Sequence, residues 1–122
     1  MNESQPKRVI AIMDDLFFMA KVKDAATAAG MKIEFARSRE DAVVRCTAGG
    51  ACLTVVDLNA GKFAPVELIG ELKAAGAVVL AFLSHVNTEL RLKAVDAGAD
   101  QVLARSALAQ NINAIFRDFA GD

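Results

Sequence analysis

The chain has 122 residues, of which 54% are hydrophobic, and its formal net charge is -1 at pH 7. This length and composition fit one domain with an ample core, and the small net charge gives no basis for a nucleic-acid or membrane-surface partner. No apolar stretch approaches the roughly 20 residues that cross a bilayer, and the first residues lack the apolar core of a signal peptide.

Short apolar runs alternate with helical patterns along the chain. Runs without polar alternation predict strands buried on both faces, as in a parallel sheet. An Ala-Gly pair at Gly30, Gly76 and Gly98 favours a helix end, because glycine adopts the left-handed conformation at low cost. We predict strands at roughly 8–13, 32–36, 52–56, 77–83 and 100–104.

The helical patterns between these strands have their own start signals. Phe17 and Phe18 begin the first helix and cannot both face the core, since adjacent helical positions lie about 100° apart. Residues that favour helix starts precede the later patterns: Ser38 in a capping-box-like sequence before a helix to about Thr47, Pro65, Asn87 before 88–97, and Ser106.

This alternation of strand and helix predicts an α/β fold. Five strand–helix repeats imply a doubly wound, five-stranded parallel sheet with helices on both faces. We predict one domain over 8–120 and a disordered N-terminal tail over 1–7.

Three acidic residues follow two of the predicted strands. Asp14 and Asp15 close the first apolar run, and Asp57 closes the third. Functional groups in open α/β sheets gather beyond the carboxyl ends of the strands, so these carboxylates are expected to share one cleft. They would repel one another unless protons or a hard cation such as Mg²⁺ neutralise them. Removing the carboxylate of Asp14 or Asp15 is therefore expected to raise the stability of the metal-free protein.

Three further segments follow the acid pair along the chain, each at the end of a predicted strand or spanning one. Val-Val-Asp57-Leu-Asn59 ends the third strand, Ala-Phe-Leu-Ser84 ends the fourth, and Gly98–Ser106 spans the fifth. Together with the acid pair, they make the chain from Val9 to about Phe119 resemble the CheY-like receiver domain of bacterial response regulators. The resemblance implies the flavodoxin-like strand order 2-1-3-4-5.

The resemblance also implies roles for individual residues. Asp57 would accept a phosphoryl group, and Ser84 and Arg105 would contact its oxygens. Mg²⁺ would be held by Asp15, by Asp14 through water, by Asp57 and by the main-chain carbonyl of Asn59. Such a domain is a signalling phosphoacceptor and not an enzyme, apart from slow autodephosphorylation.

Three positions depart from the family pattern. Arg105 replaces an invariant lysine, Ser106 a proline, and Val102 an aromatic residue whose rotation reports phosphorylation. These departures predict altered switching in an atypical stand-alone member. His85 follows Ser84 directly and is expected near the mouth of the site.

The partners implied by the resemblance are proteins. A histidine kinase or phosphotransfer protein would supply the phosphoryl group. An output protein, which this sequence does not identify, would bind the face of the fourth helix, fifth strand and fifth helix. Since no output domain follows Phe119 in the sequence, we expect signalling in trans, without nucleic acid or membrane. Cys46 and Cys52 suit neither a metal site nor a disulfide framework, so free buried thiols and a cytoplasmic location are expected.

Three other functions are compatible with parts of this pattern. A phosphorylation-independent pseudo-receiver is favoured by Arg105, Val102 and Ser106 and opposed by the acids and Ser84. A Mg²⁺-dependent phosphohydrolase with Asp57 as nucleophile is disfavoured, because no substrate-binding cap or second acidic motif is evident. A flavodoxin-like cofactor carrier is disfavoured because no Gly/Ser/Thr-rich phosphate loop follows the first strand.

Overall fold

A single parallel sheet organises the computed structural model, which describes residues 7–121. The strands are β1 (Arg8–Ile12), β2 (Lys32–Phe35), β3 (Cys52–Asp57), β4 (Val78–Leu83) and β5 (Gln101–Ala104). The helices are α1 (Leu16–Ala28), α2 (Arg39–Thr47), α3 (Pro65–Ala74), α4 (Thr88–Ala97) and α5 (Arg105–Ala120), and Gly61–Phe63 forms a 3₁₀ turn. Each predicted strand is confirmed to within one residue at either end.

The strands lie in the order β2-β1-β3-β4-β5, and every neighbouring pair is parallel. This confirms the predicted doubly wound fold and its strand order. All six residues of the central strand β3 are buried, as expected for a strand covered on both faces.

Helices cover both faces of the sheet. Helices α1 and α5 pack on one face, where their buried side chains are Phe18, Val22, Leu108, Ile112 and Phe116. Helices α2, α3 and α4 pack on the other, with Ala42, Cys46, Leu68, Ile69, Leu72 and Ala94 in the core. Both cysteines are free and buried, as predicted.

Most predicted helix ends are confirmed. The Ser38 hydroxyl accepts from the N–H of Asp41 at 3.0 Å, and Asn87 Oδ1 accepts from the N–H of Leu90 at 3.0 Å. Gly98 ends α4 at φ 114°, a backbone conformation that requires glycine, and a Cβ there would also crowd Lys73 Cγ at 3.0 Å.

The predicted cap at Ser106 is wrong. Helix α5 begins at Arg105, directly after β5, and Ala104 takes the cap position without a side-chain hydrogen bond. Because no loop separates strand from helix, Ser106 already lies in the first turn.

Six of the seven residues in the predicted tail lie outside the described part of the chain. The seventh, Lys7, accepts a hydrogen bond at its carbonyl from the N–H of Lys32 at 3.2 Å, at the start of the sheet. Between residues 7 and 121, no helix combines the length and apolarity needed to cross a membrane.

Candidate functional site

The predicted site residues lie at the carboxyl edge of the sheet. Asp14 and Asp15 follow β1, Asp57 is the last residue of β3, Ser84 follows β4, and Arg105 follows β5. The order of the strands places β1, β3 and β4 side by side, so chain segments far apart in sequence meet at this edge.

Asp57 is the buried acid of this edge. The residue is only 6% exposed, and its Oδ1 accepts a hydrogen bond from the N–H of Asn59 at 2.8 Å. Burial raises the pKa of Asp57 above its ordinary value, because the charged carboxylate loses contact with water. The Asn59 N–H opposes that rise, while the negative charge of Asp14 adds to it.

Asp15 has the opposite environment. It is the N-cap of α1, where its Oδ1 accepts from the N–H groups of Phe17 at 3.0 Å and Phe18 at 3.2 Å. Its Oδ2 forms an ion pair with the guanidinium of Arg105. The Phe18 N–H and then Arg105 hold the pKa of Asp15 below its ordinary value. The structure thus reverses the expectation that removing this carboxylate would relieve repulsion.

Arg105 is fixed from two sides. Besides the ion pair with Asp15, its guanidinium carbon lies 4.8 Å from the ring centroid of Phe18. Phe18 is 4% exposed and its ring packs 4.9 Å from that of Phe82, whereas the neighbouring Phe17 is 90% exposed. This confirms that the two adjacent rings cannot both enter the core. Stacking on a buried ring explains how the longer arginine side chain reaches Asp15.

Asn59 connects the loops after β3 and β4. Its side-chain Oδ1 accepts the N–H of Ser84 at 2.8 Å. Ser84 itself is exposed, and with His85 and Arg91 it lines a cavity of about 300 Å³ that also includes Ala104 and Ser106. His85 therefore lines the same cavity as Ser84.

In this arrangement Asp15, one of the expected ligands, is not free to bind a divalent ion. Both carboxylate oxygens of Asp15 are engaged, one by the α1 backbone and one by Arg105. Among residues 7–121, no group of three or more Asp, Glu, His or Cys side chains is placed to hold a metal together. Asp14 and Asp15 influence the ionisation of Asp57, but the three carboxylates are not arranged as one ligand set.

Sequence reasoning missed two contributors. Only the main-chain carbonyl of Asn59 was expected at the site, so the contact of its side-chain amide was not predicted, and neither Phe17 nor Phe18 was predicted to contact Arg105. No aromatic residue lies within ten positions of Arg105 in the sequence, so nothing there indicated the stacking on Phe18. Nothing in the sequence indicated that Asn59 would reach the backbone of Ser84, because that contact depends on how two loops meet.

Known structures share this fold. A CheY-like response regulator receiver domain protein from Methanospirillum hungatei matches with a TM-score of 0.80 and 15% identity, covering 95% of this chain and 94% of that one. A response regulator from Thermotoga maritima matches with a TM-score of 0.79 and 17% identity, covering 97% and 100%.

A third similar structure contains a modified residue and a metal ion of its own. It is a response regulator protein from Burkholderia pseudomallei with a phosphorylated aspartic acid, a calcium ion and citrate. Its TM-score is 0.77 at 24% identity, covering 93% of this chain and 68% of that one. No protein-family model and no curated protein matches the chain significantly. At these identities the likeness establishes the receiver-type fold alone.

Proposed function

We propose that this chain is a receiver-type phosphoacceptor domain in which Asp57 accepts a phosphoryl group during phosphorelay signalling. The observation that supports this most directly is the position of Asp57, a buried acid at the carboxyl end of the central strand with Arg105 acting on it electrostatically. The Asn59 N–H holds Oδ1, so we assign Oδ2 as the nucleophile.

The reaction would proceed by in-line displacement. Asp57 Oδ2 forms a bond to phosphorus, the bond from phosphorus to the donor's leaving group breaks, and an acyl phosphate results. Phosphoryl transfer depends mainly on positioning and electrostatic stabilisation. We assign these tasks to the Arg105 guanidinium and the Ser84 hydroxyl, which lies on a loop tied to Asn59. The phosphoryl oxygens would compete with Asp15 for Arg105.

We propose Mg²⁺ binding only for a state in which the ion pair between Arg105 and Asp15 is open. The proposed ligands of Mg²⁺ are Asp14, Asp15, Asp57 and the main-chain carbonyl of Asn59. Because Arg105 pairs with Asp15, a cation can bind there only after that ion pair opens. The proposed reaction above therefore uses the side chains of the protein alone.

The proposed partners follow from the same function. A histidine kinase or phosphotransfer protein would donate the phosphoryl group to Asp57. For the output protein we propose the face of α4, β5 and α5. Helix α4 buries only Ala94 in the core and leaves Leu92 at 58% and Val95 at 51% exposure, which supports a contact surface there.

The test is phosphorylation by a small donor. We expect acetyl phosphate or phosphoramidate to add one phosphoryl mass to the intact protein, and Asp57→Asn to abolish the addition. Asp24→Asn, an exposed acid on α1, is the matched control and should be phosphorylated normally. Parallel samples with Mg²⁺ and with a chelator would show whether the reaction needs the ion.

A phosphorylation-independent pseudo-receiver is the second candidate. The specific observation in its favour is the ion pair of Asp15 with Arg105, which neutralises the acid without a metal. Absence of any adduct under saturating donor, with or without Mg²⁺, would establish this reading over the first.

A further inference from the structure

Two thiols face each other at the amino-terminal edge of the sheet, opposite to the Asp57 edge. Cys46 lies in the last turn of α2 and Cys52 is the first residue of β3. Their Sγ atoms are 3.0 Å apart and each residue is 3% exposed. A disulfide bond is about 2.05 Å long, so closing this gap requires an approach of about 1 Å.

A cavity gives small molecules a route to this pair. Its volume is about 360 Å³, and its walls include Cys46, Thr47, Gly49, Gly50, Ala51 and Cys52. Because Thr47, Gly49 and Gly50 are exposed, the cavity reaches the protein surface. A hydroperoxide the size of hydrogen peroxide fits it easily.

Burial and one nearby charge act on Cys52. Burial and the neighbouring thiol raise the pKa of Cys52 to about 12, so Cys52 stays protonated at neutral pH, and either thiol can be the donor in the contact between them. Arg8 lies beside the pair, with its guanidinium donating to the carbonyls of Cys46 at 3.4 Å and Gly50 at 3.2 Å. Its Nε is buried without a hydrogen-bond partner. This positive charge lies close enough to Cys52 to oppose the rise in its pKa.

We propose that Cys46 and Cys52 form an oxidation-sensitive dithiol that closes to an intramolecular disulfide on reaction with a hydroperoxide. One of the two thiols, as its thiolate, attacks a peroxide oxygen, the O–O bond breaks, and the leaving hydroxide takes up the proton released by that thiol, giving a sulfenic acid and water. The sulfur of the other cysteine then attacks the sulfur of the sulfenic acid, the S–O bond breaks, and hydroxide leaves with the proton of the second thiol as a second water. Two thiols lose two electrons and the peroxide gains them.

The dithiol is separate from the proposed phosphoacceptor. Cys52 and Asp57 are the two ends of β3, about 16 Å apart at the rise of a strand. The disulfide would restrain the loop from α2 to β3 without contacting the Asp57 edge. The inference therefore stands whether or not Asp57 is phosphorylated.

Thiol counting after oxidation tests the proposal. The folded, fully reduced chain is treated with hydrogen peroxide, quenched, denatured and alkylated with N-ethylmaleimide. We expect the untreated protein to take up two alkyl groups and the oxidised protein none, with full recovery of both sites on reduction. Trypsin cleaves after Arg45 and Lys62, so both cysteines fall in peptide 46–62, whose mass should drop by two hydrogens.

Controls separate the disulfide from other oxidation. Diamide should give the same loss of thiols without adding oxygen to methionine. Cys46→Ala and Cys52→Ala should each retain a sulfenic acid or the free thiol and form no internal disulfide. The proposal is overturned if the oxidised wild-type chain still takes up two alkyl groups, or if it loses them only as a disulfide-linked dimer on non-reducing gels.

Discussion

Asp15 and Asp57 are the same residue type at the same edge of the sheet, yet their pKa values move in opposite directions. Asp57 is buried, so its charged form is penalised. Asp15 is partly exposed and receives two helix N–H groups and a guanidinium, which favour its charged form. The two carboxylates therefore have different roles: Asp57 is the proposed nucleophile, and Asp15 is the partner of Arg105.

Because Arg105 is paired with Asp15, its guanidinium competes with cations for the Asp15 carboxylate. Arg105→Ala is expected to strengthen Mg²⁺ binding by roughly two- to fivefold, because partly exposed ion pairs contribute modestly. Amide chemical shifts of the loops after β1 and β3, followed during a Mg²⁺ titration, would measure the change. Arg117→Ala removes the same charge from an exposed position on α5 and serves as the control. Equal Mg²⁺ affinity in the wild type and both variants would show that Arg105 does not obstruct the site.

At the level of the element, α1 depends on Asp15 in two ways. The carboxylate caps the helix through Oδ1 and joins it to the start of α5 through Arg105. A cap requires only an acceptor oxygen, whereas the contact with Arg105 requires charge. These two contributions can be separated by substitution.

We expect thermal midpoints at pH 7 to fall in the order wild type, Asp15→Asn, Asp15→Ala. Asparagine keeps the acceptor and loses the charge, and alanine loses both. Because folding lowers the pKa of Asp15, its charge stabilises the protein above the ordinary carboxyl range, and that stability is lost as pH falls through the lowered pKa. The gap between wild type and Asp15→Asn should therefore close in acid. Midpoints of both variants above the wild type would contradict the capping role.

Across the whole molecule, the sheet brings together residues that the chain keeps far apart. Asp15 and Arg105 are separated by 90 positions and meet because β1 and β5 end at the same edge. The opposite edge brings together Arg8, Cys46 and Cys52 in the same way. Burial at the centre of the sheet then has a cost for overall stability, since Asp57 is enclosed there.

We expect Asp57→Asn to raise the thermal midpoint at pH 7 by a few degrees, each kcal/mol corresponding to roughly 4 °C in a domain of this size. Folding raises the pKa of Asp57, so the folded protein binds more protons and loses stability as pH rises from the ordinary carboxyl pKa through the raised one. The advantage of the variant should therefore vanish near pH ~4. Thermal melts from pH 3.5 to 8, with Asp24→Asn as control, would measure it. A lower midpoint at pH 7 would show that the charged form is stabilised in the fold.

The sequence by itself determined the strands, the sheet and the edge at which the site residues lie. An unbroken apolar run such as 9–13 predicts a strand that is buried on both faces. Gly98 predicts a helix end, because its backbone adopts a positive φ at low cost. These signals depend only on residues that are close together in the sequence, so they can be recognised without the tertiary structure. The strand order came from the family resemblance and not from the residues themselves.

Only the tertiary structure decided how the side chains are paired. It joined Asp15 to Arg105, stacked Arg105 on Phe18, and set Asn59 against the Ser84 backbone. It also showed that α5 begins at Arg105, and that Ser106 is not its N-cap. Each of these contacts depends on loops that meet across the sheet. Which N–H groups or guanidinium a carboxylate binds is decided by distances in the folded protein, and the spacing of residues along the sequence does not specify those distances. For the same reason the contact between Cys46 and Cys52 became visible only when α2 and β3 were placed side by side.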